Sequence, residues 1–204
     1  GIYAYSGTNV PLADAEELHY WTKIEEVPSD TGIKFLWTRC VLDNIVYFYH
    51  QGDDLLYALV DYAEYNERLL SDPDMQGIYV SEFYQFGILA KKPSFLNMEG
   101  QVGIFKADNR LGFWDTDNSV AWSSAINKYD FKPDATTFAG NTKFTSVAGN
   151  ITTILSSGRG FVIYATASVI RIDPASSSER WTSTPIFTKI GVLYPEQVTC
   201  GAED

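Results

Sequence analysis

Two carboxylates one residue apart lie between two tryptophans in the run Gly112-Phe113-Trp114-Asp115-Thr116-Asp117-Asn118-Ser119-Val120-Ala121-Trp122-Ser123-Ser124, with hydroxyls close by. In an extended chain Asp115 and Asp117 point to the same face. Paired carboxylates can act as acid and base in glycoside hydrolysis, and a neighbouring tryptophan offers a platform for a sugar ring. Same-face neighbours on one strand are only about 7 Å apart, however, and catalytic carboxyl spacing is a through-space property. Asp-Thr-Asp-Asn is also what a surface turn needs, because these side chains bond local backbone groups. The balance favours a turn.

Other candidates are weaker. Asp72-Pro73-Asp74-Met75-Gln76-Gly77 has the oxygens and glycine of a calcium-loop opening, but Phe83 stands where a bidentate glutamate belongs, Glu82 is one residue short, and Pro73 fits the loop poorly. Ser156-Ser157-Gly158-Arg159-Gly160 lacks the spacing of a phosphate loop and marks the entry to a strand. His19 and His50 have no partner histidine at zinc-ligand spacing, and no nucleophile elbow is present. Asn150-Ile151-Thr152 is a glycosylation sequon by pattern alone. Cys40 and Cys200 are the only cysteines, read as buried thiols of a protein folded under reducing conditions. No residue earns a catalytic, cofactor-binding or metal-binding role, and the expectation is a protein that is not an enzyme.

The elements that must position these residues are strands. Aromatic and β-branched residues abound, and apolar runs are cut by polar turns. Residues 1–32 read as a loop-rich N-terminal segment, with one possible short helix that Asp14 would cap ahead of Ala15-Glu16-Glu17-Leu18 and a turn at Pro28–Gly32. Residues 33–204 read as a β-domain.

Three hairpins stand out: Ile45–Tyr49 with Leu55–Val60, Val102–Lys106 with Arg110–Trp114, and Phe161–Ala165 with Val169–Ile172. Asp, Asn and Gly suit their turns because they tolerate left-handed backbone. The turn centres near Gly52, Asp108 and Thr166 fall at nearly equal intervals, which predicts a β-propeller or propeller fragment, with a β-sandwich as the competing all-β architecture. Tyr62–Leu70 fits either a short helix or a continued strand. Asp134–Asn150 reads as a long connection with one short strand at Lys143–Thr145.

Net charge is −11, unevenly spread. Residues 1–75 hold 14 acids and 4 bases, whereas 76–204 hold 12 acids and 11 bases. Nucleic-acid binding requires the opposite sign, so tight DNA or RNA binding is not expected. No apolar run approaches the roughly 20 residues of a membrane span. The abrupt start at Gly1 and end at Asp204 predict a piece of a longer or processed polypeptide.

The run Gly103-Ile104-Phe105-Lys106-Ala107-Asp108-Asn109-Arg110-Leu111-Gly112-Phe113-Trp114 is followed by Val120-Ala121-Trp122-Ser123-Ser124 and Tyr129–Ala135. Then come Ile151–Leu155, Gly160–Tyr164, Ser168-Val169-Ile170-Arg171-Ile172 and Ile190–Pro195. This order of motifs, from Gln101 to Pro195, resembles the propeller domain of tail hub or nozzle proteins of short-tailed bacteriophages. It implies a homo-oligomeric ring in the virion tail, assembled in the bacterial host cytoplasm beside adaptor and fibre proteins. DNA would pass through the ring without specific binding, and an acidic lumen would keep the phosphate backbone from lodging. A tail module binding host polysaccharide and a β-structured glycoside hydrolase stay open beside it. Both require Trp114 or Trp122 to lie open beside the carboxylates.

Overall fold

The strand-rich pattern folds as mainly antiparallel β-structure in a computed structural model that describes residues 2–5, 21–25, 37–50, 54–94, 100–175 and 181–198. Strands β1 (Ile2–Tyr5) and β2 (Trp21–Glu25) pair antiparallel. Then come β3 (Trp37–Leu42), β4 (Ile45–His50) and β5 (Leu55–Asp61), an antiparallel meander. Helix α1 (Tyr62–Ser71) precedes the hairpin of β6 (Gln76–Ser81) and β7 (Phe86–Lys91). One four-stranded sheet holds β8 (Gln101–Ala107), β9 (Arg110–Asp115), β10 (Ser119–Trp122) and β11 (Gly140–Lys143) in sequence order. A second holds β12 (Ile151–Ser157), β13 (Gly160–Ala165), β14 (Ser168–Pro174) and β15 (Trp181–Thr188), also in sequence order.

The chain divides into two units, Gly1–Lys34 with Val60–Leu89, and Phe35–Leu59 with Ala90–Asp204. In the first, two strands occupy part of the segment expected to be loop-rich. Ile2-Tyr3-Ala4-Tyr5 and Trp21-Thr22-Lys23-Ile24 are β-favouring sequences, so their pairing follows local preference. The possible helix at 15–18 and the turn at 28–32 lie outside the described residues.

The ambiguous stretch after Asp61 is helical. It contains no β-branched residue, and the Asp61 side chain accepts the Glu64 N–H at 2.8 Å as an N-cap. Glu64 and Arg68 add an ion pair one turn apart. Tyr65 is the buried residue of α1, and its ring lies against Gly77 of β6 and Gly87 of β7, where an added Cβ would come within 2.1–2.2 Å of it.

In the second unit, each run of strands opens with a two-residue turn: Asp43-Asn44, Asp108-Asn109 and Gly158-Arg159. Asp43 and Asn44 both have positive φ (53° and 61°), the geometry of a type I′ hairpin. These three turns lie together. Arg159 Nε meets Asp108 Oδ1 at 3.2 Å, and Lys128 Nζ lies 3.9 Å from Asp43 Oδ2 while donating to the Asn109 carbonyl.

They correct the spacing expected from the sequence. Gly52 lies outside the described residues, but its place in the chain is between β4 and β5, the second and third strands of the meander. Thr166 likewise separates the second and third strands of its sheet, whereas Asp108 separates a first strand from a second. The near-equal intervals therefore compared turns that are not equivalent. The equivalent turns are unequally spaced because α1 and the β6–β7 hairpin are inserted after β5.

The first strands β3, β8 and β12 run beside one another, β8 packing against both others. Hydroxyl side chains join them. Thr38 Oγ1 accepts the Ile104 N–H at 2.8 Å, while Ser156 Oγ accepts the Lys106 N–H at 3.2 Å and donates to the Lys106 carbonyl at 2.7 Å. β8 is the edge of its sheet, so these hydroxyls satisfy backbone groups that have no strand partner there.

Both faces of the β8–β11 sheet are covered. Phe113 meets Tyr49 edge-on at 4.8 Å, and Phe105 on the other face meets Phe161 at 4.7 Å. That is why β9 is buried continuously from Leu111 to Asp115 rather than at alternate positions. A cluster built on Phe105, Trp114, Ile154, Phe161, Ile163 and Ile172 fills the space between the two four-stranded sheets. Burying each such side chain contributes about 1.5–3 kcal/mol.

Two further strands differ from expectation. The short strand placed at 143–145 is β11, shifted to 140–143 by its register with β10, where Trp122 faces Gly140. β15 was not anticipated, since Pro185 interrupts its pattern. It is an edge strand, where proline is tolerated.

Candidate functional site: the Asp115–Ser119 turn

The carboxylates and tryptophans singled out above meet at the β9–β10 turn. Asp115 ends β9 at 2% exposure, and its Oδ1 accepts the N–H groups of Asp117 and Ser119, both at 3.0 Å. Asp117 is exposed. Its Oδ1 also accepts from Ser119 N–H at 3.0 Å, and its Oδ2 pairs with Lys143 Nζ of β11 at 3.0 Å. The two side chains thus close the turn on itself.

Between Asp117 and Ser119, Asn118 takes a left-handed backbone (φ 68°) and reaches outward. Its Oδ1 accepts the Ile151 N–H at 2.8 Å, at the start of β12, and its Nδ2 donates to the Gly149 carbonyl at 2.7 Å. Its own carbonyl accepts the Phe144 N–H at 3.3 Å. One residue therefore ties the turn of one four-stranded sheet to the entry of the next. On the far side the same connection is fastened by Ser168 Oγ, which accepts from Ala148 N–H at 2.9 Å and donates to the Ala148 carbonyl.

Neither tryptophan offers a platform. Trp114 is 3% exposed and lies over Gly103 beside Phe105. Trp122 is 5% exposed, donates Nε1–H to the Phe138 carbonyl at 3.0 Å, and meets Trp181 edge-on at 5.8 Å. The carboxylates stand at a turn whose flanking rings face the interior.

Burial raises the Asp115 carboxyl to about 6, the Asp117 carboxylate adding to the shift and the Asp117 and Ser119 N–H groups opposing it. Asp117 is held well below the ordinary range, first by its hydrogen bond with Asp115, then by Ser119 and Lys143. A carboxyl whose folded pKa lies above its unfolded value, near 4, is favoured in its protonated form. Its ionisation therefore costs stability as pH rises from about 4 through about 6. Asp115→Asn keeps an acceptor oxygen and removes that cost. Relative to the parent, the variant is expected to gain about 1–2 kcal/mol between about pH 4 and pH 7. Thermal unfolding at a series of pH values measures it, and a difference that stays flat across that range would count against a buried ionising Asp115.

The remaining candidates fall at turns and strands of the fold or outside the described residues. Asp72 is the C-cap of α1, with its Oδ1 accepting the Asp74 N–H at 3.1 Å, a plain turn into β6. Ser156–Gly160 is the β12–β13 turn, with Gly158 at φ 56°. His50 is buried on β4, and His19 lies outside the described residues. Asn150 is exposed at the entry to β12. Cys40 on β3 is half-buried as a residue, with its thiol on the enclosed side, pushed up to about 12 by burial against the opposing influence of Lys106, while Cys200 is outside the described residues. Among the described residues, no three His, Cys, Asp or Glu side chains come together as a metal site, and no helix is long and apolar enough to cross a membrane.

Sequence reasoning placed the turn and its carboxylates but missed Asn118 as the bridge between sheets. The available signal was an asparagine at the position needing left-handed backbone. It also missed the hairpin at Asp43-Asn44, which repeats the Asp-Asn pair of Asp108-Asn109. Comparison with protein-family models and with curated proteins finds no match to this chain.

Proposed function

We propose that the chain is a scaffold segment of β-propeller type in a structural virion protein, a subunit of a tail hub or nozzle ring in a short-tailed bacteriophage. The observation that carries this reading is the arrangement of β3, β8 and β12, side by side, hydroxyl-linked, each opening a meander whose first turn lies with the others. Blades around an axis are built in this way. Most residues that carry the resemblance to the phage proteins fall on strands and turns of the β8–β15 region, where many fill the interior or close turns, whereas Ile190, Leu193 and Tyr194 follow β15 and are exposed.

On this reading the Asp115–Ser119 turn performs no catalytic step, and the buried Trp114 and Trp122 withdraw the feature that motivated a polysaccharide platform or a glycosidase. The partners are further copies of the chain in a ring, with adaptor and fibre proteins beside it. DNA passes without specific contact, and the acidic residues of 1–75 keep it from adhering.

Immunogold labelling of intact particles with antibodies raised against this chain tests the proposal. Gold is expected at the tail, on a ring with a central hole. Particles that carry no label, or label confined to the capsid, would overturn it.

A further inference from the structure

Hairpin turns are ordinarily polar, yet the β6–β7 turn is Glu82-Phe83-Tyr84-Gln85. Phe83 is 75% exposed and Tyr84 46% exposed. Their rings meet edge-on at 4.9 Å, and Tyr84 stacks on Phe86 at 6.4 Å, which in turn lies 5.8 Å from Tyr79. So little of Phe83 is covered that folding gives no reason for its being there.

The tip is also held in place. Tyr84 N–H donates to Ser81 Oγ at 3.1 Å, the Gln85 side-chain amide donates to the Glu82 carbonyl, and the Tyr62 hydroxyl donates to Glu82 Oε1 at 3.1 Å. Tyr62 N–H reaches the Gln85 carbonyl at 3.1 Å. Aromatic side chains fixed in advance on a firm turn are the composition of an interaction hot spot, since little freedom is lost on binding.

Charge selects the partner. Between residues 60 and 89 the carboxylates are Asp61, Glu64, Glu67, Asp72, Asp74 and Glu82, and the only cation is Arg68, which pairs with Glu64. Phosphate-bearing surfaces, whether nucleic acid or anionic lipid, are repelled by that balance. A basic protein segment is attracted, and a flat guanidinium both stacks on ring faces and pairs with a carboxylate.

We propose that the β6–β7 tip is a docking point for a basic segment of a partner protein. It seats an arginine against Phe83 and Tyr84, with Glu82 as the ion partner. This inference stands on the tip alone and does not depend on the virion assignment.

Fluorescence anisotropy with a labelled, capped peptide of alternating arginine and glycine, against its lysine counterpart, tests it. The arginine peptide is expected to bind several-fold more tightly than the lysine peptide, about 3-fold or more. Phe83→Ser combined with Tyr84→Ser leaves net charge unchanged and is expected to weaken arginine-peptide binding about 5-fold to 10-fold, with Glu82→Gln giving a smaller loss. Far-UV circular dichroism should be unchanged in both variants. Equal binding of the arginine peptide by parent and double variant would show net charge alone at work and overturn the proposal, as would no measurable binding at all. Binding to vesicles of zwitterionic phosphatidylcholine that the double variant loses would overturn it too, assigning the tip to lipid.

Discussion

Gly103→Ala and Gly112→Ala are each expected to destabilise the protein by about 2–3 kcal/mol, through overpacking at two glycine–aromatic pairs. On the β8–β9 ladder Gly103 stands directly opposite Trp114, and Gly112 directly opposite Phe105. Each ring lies over the glycine across from it. A Cβ at 103 would fall 2.2 Å from Trp114 Cη2, and one at 112 would fall 2.2 Å from Phe105 Cζ. A ring at a free surface would swing aside. These two cannot, since both are almost wholly buried and Phe105 is also packed on Phe161. Accommodation requires the two sheets to separate or the rings to leave their rotamers. Gly158→Ala is the control. Its Cβ would meet nothing within 4 Å, so only the left-handed backbone (φ 56°) is penalised, by about 1 kcal/mol. Urea unfolding of the three variants measures the difference. A Gly103→Ala no worse than Gly158→Ala would show that Trp114 is not fixed against β8.

The second large effect is expected at Asn118. Asn118→Ala should cost about 3 kcal/mol, combining an unfavourable left-handed alanine with the loss of two hydrogen bonds. One of those bonds satisfies the N–H of Ile151, a buried residue, and leaving a buried donor unpaired costs more than the bond itself contributes. Asn118→Gly separates the components. It relieves the backbone but restores neither bond, so it should recover only about 1 kcal/mol of the loss. Asn118→Asp should accept from Ile151 N–H yet repel the Gly149 carbonyl, and fall between the two. Chemical denaturation gives the energies, and limited proteolysis of the 144–150 connection gives the location. Full recovery in Asn118→Gly would confine the role of Asn118 to its own backbone.

Much of the β-structure was legible because its signals are local. Asp108-Asn109 between Lys106 and Arg110 specifies a hairpin through the backbone preferences of two residues, and the strands on either side follow from apolar runs. Asp115 and Asp117 were legible as turn-formers for the same reason, since each bonds an amide within four residues of itself. The helix at Tyr62–Ser71 was only half legible. Its composition suits a helix, but aromatic residues at its start also suit a strand, and the cap at Asp61 settled it.

What lay beyond the sequence was every question about which face is covered, and by what. The strand period puts Phe113 and Trp114 on opposite faces, but only the stacking of sheets makes both faces interior, turning a possible sugar platform into packing between sheets. The equivalence of Asp43, Asp108 and Gly158 as first turns depended on where β3, β8 and β12 came together, which no interval along the chain reveals once a helix and a hairpin are inserted. Asn118 could be seen as a left-handed turn residue, yet its partners Gly149 and Ile151 lie some thirty positions away. The sequence by itself determined the turns and strands, because backbone preference and side-chain alternation act over a few residues. The tertiary structure alone decided burial, the shifted carboxyl of Asp115 and the bridge at Asn118, because these depend on neighbours that only the packing of separate sheets brings close.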